Sequence, residues 1–233
     1  MAILCGGRGT RLQEHTQEIP KPLVEIGGRP ILWHVMQIYL AQGFRRFALL
    51  TGYKAELIEA FAAGEPWPHG TDVRCINTGI QTPTGGRLAR AASALGGERI
   101  CVTYADGVAD IDLHALLADH DAHRPQATMT VVRPELQFGV AELNGGGVIR
   151  GFVEKPRSEH WVNGGFFCFE PGVFDLLATD SVLEREPLAT LAEKGELRAF
   201  RHEGFWDCMD TYKDAVLLND LWSEGDAPWK LWT

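Results

Sequence analysis

The chain has 233 residues, 45% of them hydrophobic and 23% charged, with a formal net charge of −9. That length builds a hydrophobic core without disulfide or metal support, and an acidic chain is unsuited to general nucleic-acid binding, which needs a basic surface. A polyanion fits such a protein only in one cleft where Lys and Arg gather against the overall field. The five cysteines, Cys5, Cys75, Cys101, Cys168 and Cys208, form no CxxC pair and no zinc-ligand spacing. Most lie in apolar runs and read as buried thiols of a reducing compartment. No segment has the pattern of a signal peptide or a membrane span, so the cytoplasm is the expected location and no membrane partner is expected.

In chain order, Met1 to Cys5 is an apolar run that stops at Gly6-Gly7, a strand entering a glycine turn. Ile31, Val35, Ile38 and Tyr39 recur at helical spacing within Pro30 to Gln42, with Pro30 suited to a first helical position and Gly43 to a stop. Phe47 to Thr51 reads as a strand, Lys54 to Ala63 as a helix, Val73 to Ile76 as a strand and Gly86 to Leu95 as a helix. Ile100 to Tyr104 is a strand ending at Asp106-Gly107, and Leu113 to His123 a helix. Alternation of this kind predicts a mostly parallel sheet covered on both faces, an α/β fold. The second half differs. Ala127 to Arg133, Phe138 to Leu143 and Val148 to Glu154 read as consecutive strands, the last two joined by the turn Asn144-Gly145-Gly146-Gly147. Val162 to Phe169 is a further strand, Glu186 to Lys194 a helix, Leu197 to His202 a strand and Thr211 to Trp222 a helix. No linker, repeat or low-complexity segment interrupts the chain, so residues 1–233 are expected to form one domain.

Ligands of open parallel sheets bind beyond the carboxyl ends of the strands, and three suggestive segments fall there. Gly6-Gly7-Arg8-Gly9-Thr10-Arg11-Leu12 supplies glycines that let the backbone approach phosphate, a hydroxyl, and an Arg that forks onto two oxygens. It is neither a Walker A loop nor a GxGxxG fingerprint. Lys21, stiffened between Pro20 and Pro22, offers a fixed positive charge. Asp106 ends an apolar strand and suits a divalent cation; Asp207 and Asp210 offer a second carboxylate, and Asp210-Thr211 fits a helix cap equally well. Glu154-Lys155-Pro156 closes another strand, with Lys155 available for a second phosphate. Asn163-Gly164-Gly165 presents an amide and bare backbone to hydroxyls. Gln81 and the turn Thr84-Gly85-Gly86-Arg87 are placed to read a base edge.

Taken in order, GGxGTRL, PKP, a strand-end Asp-Gly, Glu-Lys-Pro and a late Asp-Thr resemble the sugar-phosphate nucleotidyltransferases along nearly the whole chain. Within that family the likeness is to its glucose-1-phosphate cytidylyltransferase branch. It rests on the run Lys21 to His34, on Thr84 to Leu88, Tyr104 to Asp110, Trp161 to Phe167 and Glu184 to Leu188, and on Gly204-Phe205-Trp206, Met209-Asp210-Thr211 and Ala227-Pro228-Trp229-Lys230. The resemblance implies a Rossmann-like three-layer αβα fold with a mixed, mostly parallel sheet and a small β-rich sugar-binding part. About residues 1–125 would form the NTP half and about 126–233 the sugar-phosphate half. It implies that Gly6, Gly7, Gly9, Thr10, Arg11 and Lys21 hold the nucleotide phosphates, that Leu4 and Asp106 also belong to the nucleotide site, and that Gln81, Thr84, Gly85, Gly86 and Arg87 lie where the family contacts the base. Asp106 and Asp210 would hold Mg²⁺, with Gly107, Glu154, Lys155, Asn163 and Gly164 around the sugar phosphate. Arg11, Lys21, Asp106 and Asp210 would carry catalysis. The expected reaction joins an NTP, CTP in the first instance, to a sugar 1-phosphate such as glucose 1-phosphate, with release of pyrophosphate.

Two departures bear on this. Relatives carry a longer insertion where this chain has only Gly64 to Asp72, a region of subunit contacts, so a homo-oligomer is implied but its state is open. Ile80-Gln81-Thr82-Pro83 replaces the usual acidic, Met-containing stretch, which leaves dTTP, UTP or GTP, and a heptose phosphate or phosphonate acceptor, as alternatives. A non-catalytic nucleotide-binding module is disfavoured because Arg11, Lys21 and Asp106 are all present.

Overall fold

The computed structural model describes residues 1–9 and 18–232. Strands β1 (Ala2–Leu4), β4 (Arg46–Thr51), β5 (Asp72–Asn77), β6 (Ile100–Tyr104), β8 (Ala127–Val132), β11 (Val162–Phe169) and β12 (Leu197–Arg201) form one seven-stranded sheet in the order β12-β8-β11-β6-β1-β4-β5. Only β11 runs antiparallel to its neighbours, β6 and β8; the other pairings are parallel. This is the expected mixed, mostly parallel α/β sheet, and both halves of the sequence contribute strands to it. Short ribbons complete the list: β2 (Glu25–Ile26) with β3 (Arg29–Pro30), β7 (Gly107–Ala109) with β13 (Trp206–Cys208), and β9 (Val140–Leu143) with β10 (Ile149–Val153).

Period-two alternation explains the layers. Ala2, Leu4, Ala48 and Leu50 face one core, while Ile3, Phe47 and Leu49 face the other. The first core is closed by α3 (Thr84–Leu95), through Leu88 and Ala91, and by α5 (Glu186–Glu193), through Leu188 and Leu191. The second is closed by α1 (Ile31–Ala41), α2 (Ala55–Gly64), α4 (Leu113–His123) and α6 (Tyr212–Ser223). No helix among the described residues is long and apolar enough to cross a membrane.

Three elements differ from the sequence expectation. β8 does not continue into β9, because β11 and β12 already occupy both its edges. β9 and β10 instead form a separate ribbon whose Leu143, Ile149, Phe152 and Val153 are exposed. Pro30 is not the first helical residue; at ψ 141° it is extended, pairs with Glu25 and caps α1 from outside. The Thr84-Gly85-Gly86-Arg87 segment is not a turn but the first turn of α3, entered from Pro83.

The C-terminal segment folds back on α1 and seals its one buried histidine. His34 has no exposed surface and is ringed by Trp33, Trp222, Trp229 and Trp232. Trp229 Nε1–H donates to His34 Nδ1 at 3.3 Å, so Nε2 carries the proton and donates to Ile26 O at 2.8 Å. Burial, assisted by the charge of Arg29, lowers the imidazole pKa from 6.5 to about 4. A depressed folded-state pKa means that stability is fully present above 6.5 and is lost as pH falls through 4. At about 1.4 kcal/mol per pH unit, the loss is on the order of 3 kcal/mol. Urea unfolding between pH 7 and 4 is expected to show this fall in the native chain and a flatter profile in His34→Gln.

Candidate active site

Parallel pairing of β1 with β6, with Leu4 opposite Tyr104, brings two segments side by side at the carboxyl edge of the sheet. One is the glycine loop after Leu4; the other is Ala105-Asp106 after Tyr104. Antiparallel pairing of β13 with β7 sets Cys208 opposite Gly107, and Met209 N–H donates to Asp106 O at 2.9 Å. Asp210 is thereby delivered to the same edge. Lys21 enters on a buried 3₁₀ turn, Lys21–Leu23, preceded by Pro20. Its Nζ lies 2.6 Å from Asp106 Oδ2 and 2.6 Å from Asp210 Oδ1. Burial works against the charge of Lys21, yet the two carboxylates, Asp106 foremost, outweigh it and raise the pKa above the ordinary lysine value. Lys21 is charged throughout the physiological range.

These groups line a cavity of about 430 Å³ with Leu4, Gly6, Gly7, Gly9, Thr84 and Arg87. Among the described residues, Asp106, Asp210 and Cys208 present one donor atom each within 4.8 Å of one another. The thiol of Cys208 is pushed up by burial and then by the charges of Asp106 and Asp210, which keeps it protonated. The structure separates the two aspartates that the sequence leaves open. Asp210 joins Asp106, whereas Asp207 lines another cavity and accepts from the Cys208 N–H at 2.7 Å. Burial, helped by Asp214 and Glu135, raises the Asp207 carboxyl to about 6. Nor is Asp210 the helix cap: Thr211 caps α6 in a capping box with Asp214.

Several expected base and phosphate contacts are placed otherwise. Arg87 lines the cavity, but its buried guanidinium is committed to the protein. It donates to Gly6 O at 2.7 Å, Thr78 Oγ1 at 2.7 Å, Gly79 O at 2.9 Å and Thr51 O at 3.1 Å. Through the bond to Gly6 O it holds the glycine loop from below. A Cβ on Gly6 would run into that guanidinium, which is why glycine is required there. Gly85 and Gly86 allow α3 to pack on the 179–181 loop: a Cβ on Gly85 would meet Ser181 O, one on Gly86 Thr179 O, and the Gly86 N–H donates to Ser181 O at 2.9 Å. Gln81 is exposed and does not line the cavity. Thr10 and Arg11 lie outside the described residues.

The acceptor residues fall in two places. Asn163 Nδ2 donates to Tyr104 Oη at 3.2 Å, at the edge of the first cavity. Gly164 is buried and its carbonyl accepts from Trp206 Nε1 at 2.8 Å. Gly107 is buried in the β7 ribbon. Glu154 and Lys155 are exposed at the root of the β9–β10 ribbon, and Lys155 lines a second cavity, of about 490 Å³, with Arg133, Arg157 and Lys213. The two cavities share no lining residue. Sequence reasoning missed Tyr104 and Glu184, which meet through a hydrogen bond across the cleft. It also missed the structural use of Arg87, whose signal was its place beside Leu88 and Ala91 on the core face of α3.

A cation held by strand-end carboxylates beside a glycine loop is the arrangement of an enzyme that handles phosphate anions. The nucleotidyl transferase family model matches residues 1–205, and the chain belongs to that family. It is 43% identical over 257 aligned residues to a glucose-1-phosphate cytidylyltransferase of Salmonella typhimurium, covering 99% of this chain and 98% of that protein. It is 31% identical to a mannose-1-phosphate guanylyltransferase catalytic subunit beta of Drosophila melanogaster, over 91% of this chain and 59% of that one. Among solved structures, HddC from Yersinia pseudotuberculosis shares the fold, with a TM-score of 0.74 at 22% identity over 95% of this chain and 98% of that chain. The expected class therefore stands: the chain is a sugar-1-phosphate nucleotidyltransferase. The first alignment is longer than the 233 residues here, so that relative has residues this chain lacks.

Arg87→Met removes four hydrogen bonds from a buried setting, although Gly6 O keeps the Tyr53 N–H and Thr51 O keeps the Thr78 N–H and hydroxyl. A loss of about 3–5 kcal/mol is expected in chemical denaturation, and Arg87→Lys, which lacks the planar fork, recovers only part of it.

Proposed function

We propose that this nucleotidyltransferase uses CTP and glucose 1-phosphate and forms CDP-glucose and pyrophosphate. The observation that carries the reading is the Lys21 ammonium seated 2.6 Å from each of two strand-end carboxylates beside the glycine loop. The choice of substrates is supported by 43% identity to a full-length relative named for them.

In this reading an oxygen of the sugar 1-phosphate attacks the α-phosphorus of the NTP. The bond to the bridging oxygen breaks in line, and pyrophosphate leaves with the electron pair. The nucleophile is already an anion, so no general base is needed. What the protein must supply is position and counter-charge. Two unit charges at about 4 Å in an effective dielectric of about 20 repel by about 4 kcal/mol. Lys21 and Arg11 are the side chains proposed to meet the triphosphate, over the backbone N–H groups of Gly6, Gly7 and Gly9. Asp106 and Asp210 fit a divalent cation, proposed as Mg²⁺. Both are hard oxygen donors, and the space between them already accommodates a positive group. When bound, that cation supplies charge neutralisation at the phosphates. Asn163 is proposed for the sugar hydroxyls and Lys155 for the acceptor phosphate. Thr84 of the predicted base-contact set still faces the nucleotide cavity.

Pyrophosphate release across four NTPs and several sugar 1-phosphates, with and without Mg²⁺, tests the reading. CTP with glucose 1-phosphate is expected to lead, and activity is expected to vanish without a divalent cation. Faster turnover with dTTP, UTP or GTP would move the base assignment. Arg11→Ala, Lys21→Ala and Asp106→Ala are each expected to lose at least ~100-fold in kcat; near-normal rates in folded variants contradict their roles. Because Lys155 lines its own cavity, Lys155→Ala is expected to raise KM for the sugar phosphate about tenfold and leave that for the NTP unchanged.

A further inference from the structure

Glu184 lies outside the phosphate cluster, and the reaction by itself assigns it no task. We infer that Glu184 is a positioning residue whose one carboxylate ties the nucleotide subsite to the acceptor subsite and sets the geometry of both. The inference rests on the nucleotidyl-transfer reading and on Asn163 serving the acceptor.

Its two oxygens are used on two sides. Oε2 accepts from Thr84 Oγ1 at 2.6 Å, and Oε1 accepts from Tyr104 Oη at 2.5 Å. Both hydroxyls belong to residues that line the nucleotide cavity. Thr84 opens α3, and its oxygen in turn accepts from the Leu183 N–H at 3.0 Å. Tyr104 Oη accepts from Asn163 Nδ2 at 3.2 Å, and Asn163 Oδ1 accepts from the Gly165 N–H at 2.8 Å. An ionised carboxylate only accepts, so every proton in the chain has a fixed direction. Asn163 gives to Tyr104 and Tyr104 to Glu184; from the other side Leu183 gives to Thr84 and Thr84 to Glu184. The amide of Asn163 cannot flip without breaking both of its bonds, so one of its faces is presented consistently to a ligand.

The surroundings lock the phenol at the middle. Gly165 has φ +80°, and a Cβ there would come within 2.6 Å of the Tyr104 ring. Phe167 meets the same ring edge-on at 5.9 Å. The Tyr104 hydroxyl is the donor of the bond to Glu184. O–H···O⁻ bonds of this kind are about twice as strong as neutral ones. Glu184 itself is exposed, so replacing it removes the tie and leaves the core intact.

Steady-state kinetics with each substrate varied in turn tests the inference. Thr84→Val is expected to raise KM for the NTP about tenfold and Tyr104→Phe to raise that for the sugar phosphate about tenfold. Glu184→Ala is expected to raise both, with kcat within about threefold of the parent. The double variant Glu184→Ala/Tyr104→Phe is expected to show the same acceptor KM as Tyr104→Phe alone, because Glu184 reaches Asn163 only through the Tyr104 hydroxyl. Glu184→Gln, with a single acceptor oxygen, is expected to restore one KM and not the other. Unchanged KM values in Glu184→Ala, a fall in kcat without a change in KM, or additive effects in the double variant would each overturn it. Calorimetric Kd values for the two ligands give the same comparison without turnover. A parent chain that binds both ligands and forms no product contradicts the reaction, while the pattern of Kd values still decides the role of Glu184.

Discussion

Three charges organise the cleft. Lys21 comes from the segment before α1, Asp106 from the end of β6 and Asp210 from beyond β13, and the ammonium of the first lies in hydrogen-bond contact with both carboxylates. Removing the ammonium takes the shared counter-charge from two partly buried carboxylates, a costly change for charges away from bulk water. The rest of the architecture serves to deliver them. Parallel register places the glycine loop beside Asp106, the β7–β13 ribbon carries Asp210 to it, and a proline before the 3₁₀ turn holds Lys21 in place.

The cluster carries one positive and two negative charges on a chain whose net charge is −9, so a triphosphate approaching it meets repulsion unless further cations arrive. That requirement makes sense of nucleotidyl transfer with a divalent cation, and of an Arg in the glycine-rich segment. It also accounts for Arg87, whose guanidinium fastens the glycine loop at Gly6 O and is itself anchored on Thr51, Thr78 and Gly79. A phosphate-binding backbone must be rigid before its N–H groups act as a preorganised electrostatic site.

Much of this was legible in the sequence because period and punctuation carry it. The alternation of apolar runs defined the sheet and its helices, with Ile100 to Tyr104 and Leu113 to His123 matching to the residue. The strand-end Asp106 and the constrained Lys21 were legible for the same reason. What was not legible depends on long-range pairing. Nothing local distinguishes Asp207 from Asp210; only the register of β13 on β7 does. Nothing local says that Arg87 points under the loop, that Gly85 and Gly86 exist for helix packing, or that Glu184 reaches Thr84 and Tyr104 from far along the chain. The strand β8 and the ribbon β9–β10 read alike as sequence, and sheet edges already filled by β11 and β12 tell them apart.

The pair Asp106 and Asp210, proposed above for a divalent cation, holds Lys21 as its resident positive charge. Thermal unfolding of the native chain and of Lys21→Met, without nucleotide and with rising Mg²⁺, tests it most directly. With the ammonium gone the two carboxylates lose the positive charge they share, so the variant is expected to have a lower Tm, which Mg²⁺ raises by several degrees more than it raises that of the native chain. Equal Mg²⁺ responses in the two proteins would contradict it.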